Sequence, residues 1–154
     1  MLTEEERREI EAEASRYLRP QAAAVDAMKI VQRHRGWVSN EALQELGELL
    51  QMTKSELDSV ATFYNLVFRK PVGRHVIMIC NSVSCWVMGY PGLRQHLTQR
   101  LGIDLGQTTA DGRFTLLPIV CLGDCDHAPT MMVDSQLYRE LTPEKIDGIL
   151  EEYR

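Results

Sequence analysis

The chain has 154 residues, 44% of them apolar and 25% charged, with a formal net charge of −5. That length suits one domain, or one small domain with an appendage, and can bury a real core. The acidic balance, with no clustered Lys/Arg patch, argues against nucleic acid, and no apolar run approaches a membrane span. Met1-Leu2-Thr3-Glu4-Glu5-Glu6 shows neither the basic nor the apolar region of a signal peptide. The expected compartment is therefore the cytoplasm, where paired cysteines more often bind metal than form disulfides.

The first half reads as successive helices. Thr3 with Glu6 is a capping-box pair opening a charged helix to about Leu18. Its thin stripe of Ile10, Ala14, Tyr17 and Leu18 suggests a position on the surface or against a partner. Pro20 interrupts it. A second helix is expected from Gln21 to His34, with Ala24, Met28 and Val31 on one face and Gly36 near its end. Ser39 can cap a third, whose apolar face is Leu43, Leu46, Leu49 and Leu50. Thr53 with Glu56 opens a fourth, through Leu57, Val60 and Ala61. The aromatic run from Phe63 to Phe68 then meets Arg69-Lys70-Pro71-Val72-Gly73. A boundary is placed there, giving a helical region over residues 1–72 and a second domain over 73–154.

After Gly73 the period changes. His75 to Ile79 reads as a short strand delivering Cys80, followed by a loop through Cys85 and Trp86. A helix from Pro91 or Gly92 to Leu101 turns Leu93, Leu97 and Leu101 inward, and a polar stretch leads to a strand from Arg113 to Val120. This strand–helix–strand unit predicts two parallel strands with a right-handed crossover. Parallel strands of one sheet finish at the same edge. Cys80 and Cys85 (C-x4-C) would there meet Cys121 and Cys125 (C-x3-C) in one site. A hairpin, Thr130–Val133 with Gln136–Tyr138, and a helix opened by Thr142-Pro143 and burying Ile146, Ile149 and Leu150, complete the chain. The fold class is α/β, and the second domain has the element order of a thioredoxin-like domain.

Four thiolates suit either a structural zinc or an iron–sulfur cluster. Zinc sites usually use tighter C-x2-C turns, whereas the looser spacings here fit a [2Fe–2S] rhomb. His127 forms a C-x-H with Cys125, but a Rieske-type centre needs a second such histidine, so His127 is read as outside the ligand set. His75, His34 and His96 are read as strand or surface residues. No C-x-x-C is present, which argues against thiol–disulfide exchange. No G-x-G-x-x-G follows a strand and no P-loop exists, so the chain offers no NADH or flavin site of its own and no complete active site.

At Cys80-Asn81-Ser82-Val83-Ser84-Cys85-Trp86-Val87-Met88-Gly89, Cys121-Leu122-Gly123-Asp124-Cys125 and Ala128-Pro129, the sequence resembles the family of thioredoxin-like [2Fe–2S] subunits of NADH:quinone oxidoreductase, respiratory complex I. Gly36-Trp37-Val38, Val60-Ala61-Thr62-Phe63-Tyr64 and Asp111–Pro118 match it too. The resemblance implies one [2Fe–2S] cluster on Cys80, Cys85, Cys121 and Cys125 that exchanges single electrons with FMN on a partner. It further implies docking of the helical region onto the FMN- and NADH-binding subunit, and contact with the large iron–sulfur subunit. The implied location is the cytoplasmic peripheral arm, without membrane insertion. Related subunits serve NAD-linked hydrogenases and formate dehydrogenases, although the wording of Gly106–Thr109 and Asp111–Pro118 leans to the respiratory complex. A zinc-stapled, non-redox adaptor is the remaining alternative.

Overall fold

Four helices build the first of two units in the computed structural model, which describes residues 1–153 and divides into Met1–Pro71 and a unit beginning at Val72. α1 (Glu4–Ala14) starts from a complete capping box: the Thr3 hydroxyl accepts from Glu6 N–H, and Thr3 N–H donates to Glu6 Oε2 at 2.7 Å. A 3-10 turn over Pro20–Ala23 leads into α2 (Ala24–Arg35), closed by Gly36 in the left-handed region at φ 80°. Ser39 caps α3 (Asn40–Leu50), and Thr53 with Glu56 forms the second capping box, at α4 (Lys54–Phe63). Ile10, Met28, Val31, Leu43, Leu46, Leu50 and Leu57 are fully buried in one cluster. Burying such side chains is the main force holding four short helices together, since each is marginal alone.

α1 differs from its expected role. It ends at Ala14, and Leu18 is fully exposed beyond it, while Ile10 is buried in the core of its own unit. The sequence pattern hid this because α1 buries a charged residue: Glu6 is only 1% exposed. Arg35 at the end of α2 forks onto it, with Nε–Oε1 at 2.6 Å and Nη2–Oε2 at 2.5 Å. A bidentate guanidinium–carboxylate pair satisfies both oxygens, which lets an acid sit in an apolar seam.

Residues 64–69 fold back on this unit. Gln32 donates to the Leu66 carbonyl and accepts from Phe68 N–H at 2.6 Å, and Val38 N–H bonds the Phe68 carbonyl. Arg69 pairs with Asp58 at 2.7 Å and also reaches Asn40 and the Val38 carbonyl. Phe63, Tyr64 and Leu66 stay exposed.

The second unit is a five-stranded mixed sheet with helices. β1 (His75–Cys80), β2 (Gln107–Thr108), β3 (Phe114–Ile119), β4 (Met131–Val133) and β5 (Gln136–Tyr138) lie in the order β2-β3-β1-β4-β5. β1 and β3 are parallel, from His75 opposite Phe114 to Cys80 opposite Ile119. The other pairs are antiparallel. Val76 to Cys80 are buried without alternation, as expected of a central strand covered on both faces. β2 is an addition to the expected elements. It is two residues long, too short to show a period, and it pairs only with Thr115 and Leu116. Pro118 therefore has no strand on that side to miss its N–H.

The chain runs from β1 through α5 (Val83–Val87) and α6 (Tyr90–Leu101) to β3, and α7 (Pro143–Glu152) closes it. His96 and Arg100 of α6 both pair with Asp147 of α7, at 3.0 and 3.2 Å. His75 bonds Asp134 of the β4–β5 turn at 2.8 Å. No described helix is long and apolar enough to cross a membrane.

The hydrogen bonds from Arg35 hold the Glu6 carboxyl down to about 2 against the opposing effect of burial. A folded value below the unfolded one contributes stability that is whole above the ordinary value of 4.5 and lost as pH falls toward 2. Glu6→Gln replaces the carboxylate that pairs with Arg35 by a neutral amide and is expected to cost about 2 kcal/mol at neutral pH. Denaturant unfolding monitored on the helical signal should show that this deficit shrinks as pH is lowered through that window.

Candidate metal centre

The parallel pairing of β1 and β3 puts the C-terminal ends of both strands at one sheet edge, and both cysteine pairs lie there. Cys80 is the last residue of β1, and the next residue, Asn81, donates its N–H to the Ile119 carbonyl at the end of β3. Cys121 begins the loop two residues after β3. The expected loop carrying Cys85 is the short helix α5, in which Trp86 N–H bonds the Ser82 carbonyl at 2.8 Å. Five residues are too few for a helical period to be read, and Ser82 and Ser84 resemble loop composition.

The two cysteine pairs converge at that edge. Cys121 Sγ lies 3.6 Å from Cys125 Sγ, and Cys80 is close enough to both Cys85 and Cys121 for their side chains to interact. No disulfide links any of them. The four cysteines form two unlike halves. Cys80 and Cys85 are 2% and 1% exposed, fixed on a strand and a helix, whereas Cys121 begins a loop and Cys125 opens the three-residue 3-10 turn that follows it, both exposed.

Their electrostatics follow from this division. Burial pushes the Cys80 thiol up, opposed by N–H groups of Ser82 and Leu122. The Gly123 N–H points at Cys121 Sγ from 3.3 Å, and with Cys125 it holds the Cys121 thiol below its ordinary value. Cys125 is pushed up by its neighbour Cys121. Gly123 reaches that position at φ 77°, a left-handed conformation that costs a residue with a Cβ about 1 kcal/mol or more.

The surroundings include residues that the cysteine pattern did not single out. Thr130, 2% exposed, places Oγ1 3.7 Å from Cys85 Sγ and accepts the Cys80 N–H on its carbonyl. Asp124 bonds Nδ1 of His127 at 3.0 Å and Nε of Arg139 at 2.5 Å. Burial opposes ionisation of Asp124, but the hydrogen bonds from His127 and Arg139 outweigh it and keep the carboxyl low. His127 is thus engaged with carboxylates, Asp126 being the second at 3.4 Å. Nothing in the spacing of the cysteines could have indicated Thr130 or Arg139, since each arrives from a different strand.

An all-sulfur set with backbone N–H groups directed at it suits soft, thiolate-preferring metal groups. The residues present therefore fit an iron–sulfur cluster: the donors number four, their charge is met by N–H dipoles, and two of them are rigidly held.

Residues 10–154 match the model of the thioredoxin-like [2Fe-2S] ferredoxin family. The chain belongs to that family. It is 47% identical to the E subunit of NADH-quinone oxidoreductase from Pseudomonas aeruginosa and 49% identical to the one from Escherichia coli, each over 99% of this chain and 92% of the relative. Among solved structures, an NAD+-reducing [NiFe]-hydrogenase in the air-oxidized state superposes with a TM-score of 0.72. It shares 27% identity over 85% of this chain, which corresponds to 22% of the hydrogenase chain.

The unequal halves predict an order of reactivity in metal-free, reduced protein. Thiolate character and access decide alkylation. Brief treatment with iodoacetamide near neutral pH, followed by peptide mass mapping, should therefore find Cys121 modified first and Cys80 and Cys85 protected until the fold opens.

Proposed function

We propose that Cys80, Cys85, Cys121 and Cys125 hold one [2Fe–2S] cluster, and that the chain is an electron-transfer subunit of an NADH-quinone oxidoreductase. In this reading it exchanges single electrons with FMN on the NADH-binding partner. The observation that carries it is the convergence of both cysteine pairs at the shared end of β1 and β3, with Cys121 Sγ 3.6 Å from Cys125 Sγ, in a member of this family. The cluster, when bound, supplies a one-electron couple that no side chain here could supply.

The chain's own residues have definable tasks. Cys80 and Cys85 anchor the buried side and exclude water from it. Cys121 and Cys125 face the surface, which makes their loop the side by which an electron comes and goes. Gly123 N–H directs partial positive charge at Cys121 sulfur, and the Thr130 hydroxyl, 3.7 Å from Cys85 Sγ, would donate to a ligating thiolate there; both favour the more negative, reduced state. Val83, Trp86, Val87, Met88 and Val120 are exposed large apolar residues on the segments bearing the cysteines. A partner resting on them would dry the site and strengthen these electrostatic effects. We assign the chain to the cytoplasmic peripheral arm of such a complex, beside the FMN subunit and the large iron–sulfur subunit, with the domain division at residues 72 and 73.

The hydrogenase neighbour favours a second reading, the corresponding subunit of an NAD-linked hydrogenase. The higher identity to the quinone oxidoreductase subunits, over nearly the whole chain, favours the respiratory complex.

Anaerobic purification, followed by an absorption spectrum and assays of iron, zinc and acid-labile sulfide on one sample, tests the proposal. Visible bands bleached by dithionite, with iron and sulfide each at about two per chain, are expected. A colourless protein with zinc and no sulfide, unchanged after anaerobic reconstitution, would replace it with the adaptor reading. Cys121→Ser should lose most of the visible absorbance, and Thr130→Val should keep it while lowering the reduction potential, as read by redox titration.

A further inference from the structure

The exposed pair of cysteines lacks what fixes the buried pair. Cys80 and Cys85 are set by a central strand and a helix, whereas Cys121 and Cys125 flank three residues of loop with one glycine at positive φ. Something else must hold that loop. The last of those three residues, Asp124, has a side chain only 12% exposed although it lies at the surface end of the sheet. Arg139, immediately after β5, meets Asp124 Oδ2 through Nε at 2.5 Å, while His127 takes Oδ1 at 3.0 Å. The two residues after Arg139 continue the attachment. Glu140 N–H bonds the His127 carbonyl at 2.9 Å, and Leu141 N–H bonds the Pro129 carbonyl at 3.0 Å. Leu141 is buried, and the Glu140 carbonyl accepts from Lys145 in the first turn of α7. Residues 139–141 thus form a strap, anchored to β5 and α7, that lies along the cysteine loop.

We propose that Arg139 is a positioning residue for the exposed half of the metal centre, holding the Cys121–Cys125 loop in its ligating shape through Asp124. The inference rests on the reading of the four cysteines as cluster ligands. The backbone bonds of the strap secure residues 127–129, and of the strap's own contacts the Arg139–Asp124 pair is the one that reaches between the two cysteines. A nearly buried carboxylate with both oxygens engaged has little freedom, and it lends that rigidity to the adjacent Cys125. The pair also sets opposite charges beside the cysteines, so that together they perturb a redox centre far less than either would alone.

The test uses the full, cluster-loaded chain and the variants Arg139→Gln, Asp124→Asn, the double variant and Arg139→Lys. Cluster loss to a chelator, followed in the visible spectrum, should be on the order of ten-fold faster in each single variant. The double variant should be no worse than either single one, because both remove one contact. Redox titration should show potentials moved in opposite directions, down in Arg139→Gln and up in Asp124→Asn, since one loses a positive and the other a negative charge. General loosening of the fold would move both the same way. Arg139→Lys should restore the potential but only part of the retention, because Lys lacks the planar fork. Hydrogen exchange of the peptide spanning 121–129 in metal-free protein should be faster in Arg139→Gln, with exchange elsewhere unchanged. Wild-type retention and exchange in Arg139→Gln, multiplicative effects in the double variant, or potential shifts of one sign would overturn the proposal. Wild-type protein that takes up no iron and sulfide would refute the ligand reading instead, and exchange at 121–129 would then decide the strap by itself.

Discussion

The parallel pairing of β1 with β3 is the constraint on which the rest depends. Its register, running from His75 opposite Phe114 to Cys80 opposite Ile119, brings two cysteine pairs distant in sequence to the same end of one sheet. A slip of one residue would turn Cys80 to the other face and leave the remaining sulfurs without it. That register is protected by burial. Val76 to Cys80 are all inaccessible, so shifting the strand would displace a continuous run of core contacts.

Around that pairing the site is built with graded rigidity. The half supplied by regular structure is buried and the half supplied by loop is exposed, an arrangement suited to a centre that must be both stably held and reachable by electrons. The Gly123 N–H bond to Cys121, the Thr130–Cys85 contact and the carboxylate network of Asp124, His127 and Arg139 lie beside the cysteines. Thr130 and Arg139 come from outside the Cys121–Cys125 loop, one just before β4 and the other just after β5.

The helical unit solves a separate problem. Four helices of ten to twelve residues cannot stand alone, and their stripes close on one apolar cluster. The Arg35–Glu6 fork lets the highly charged α1 join that cluster without leaving a charge stranded. Phe63, Tyr64 and Leu66 remain outside it.

Much of this was legible from sequence because its causes are local. Thr3 with Glu6, Ser39, Thr53 with Glu56, and Thr142 with Pro143 start helices through hydrogen bonds spanning three residues, and Gly36 ends α2 by admitting positive φ. The apolar runs before Cys80 and Cys121, separated by a helix, imply parallel strands by chain geometry alone. What tertiary structure decided lies where distant residues meet. Ile10 and Glu6 are buried because Arg35, on another helix, is there to receive the charge. β2 exists only because β3 offers it an edge. Thr130 lies beside Cys85 and Arg139 beside Asp124 only because β4 and β5 pair antiparallel beside β1, and no period or spacing in the chain encodes that encounter.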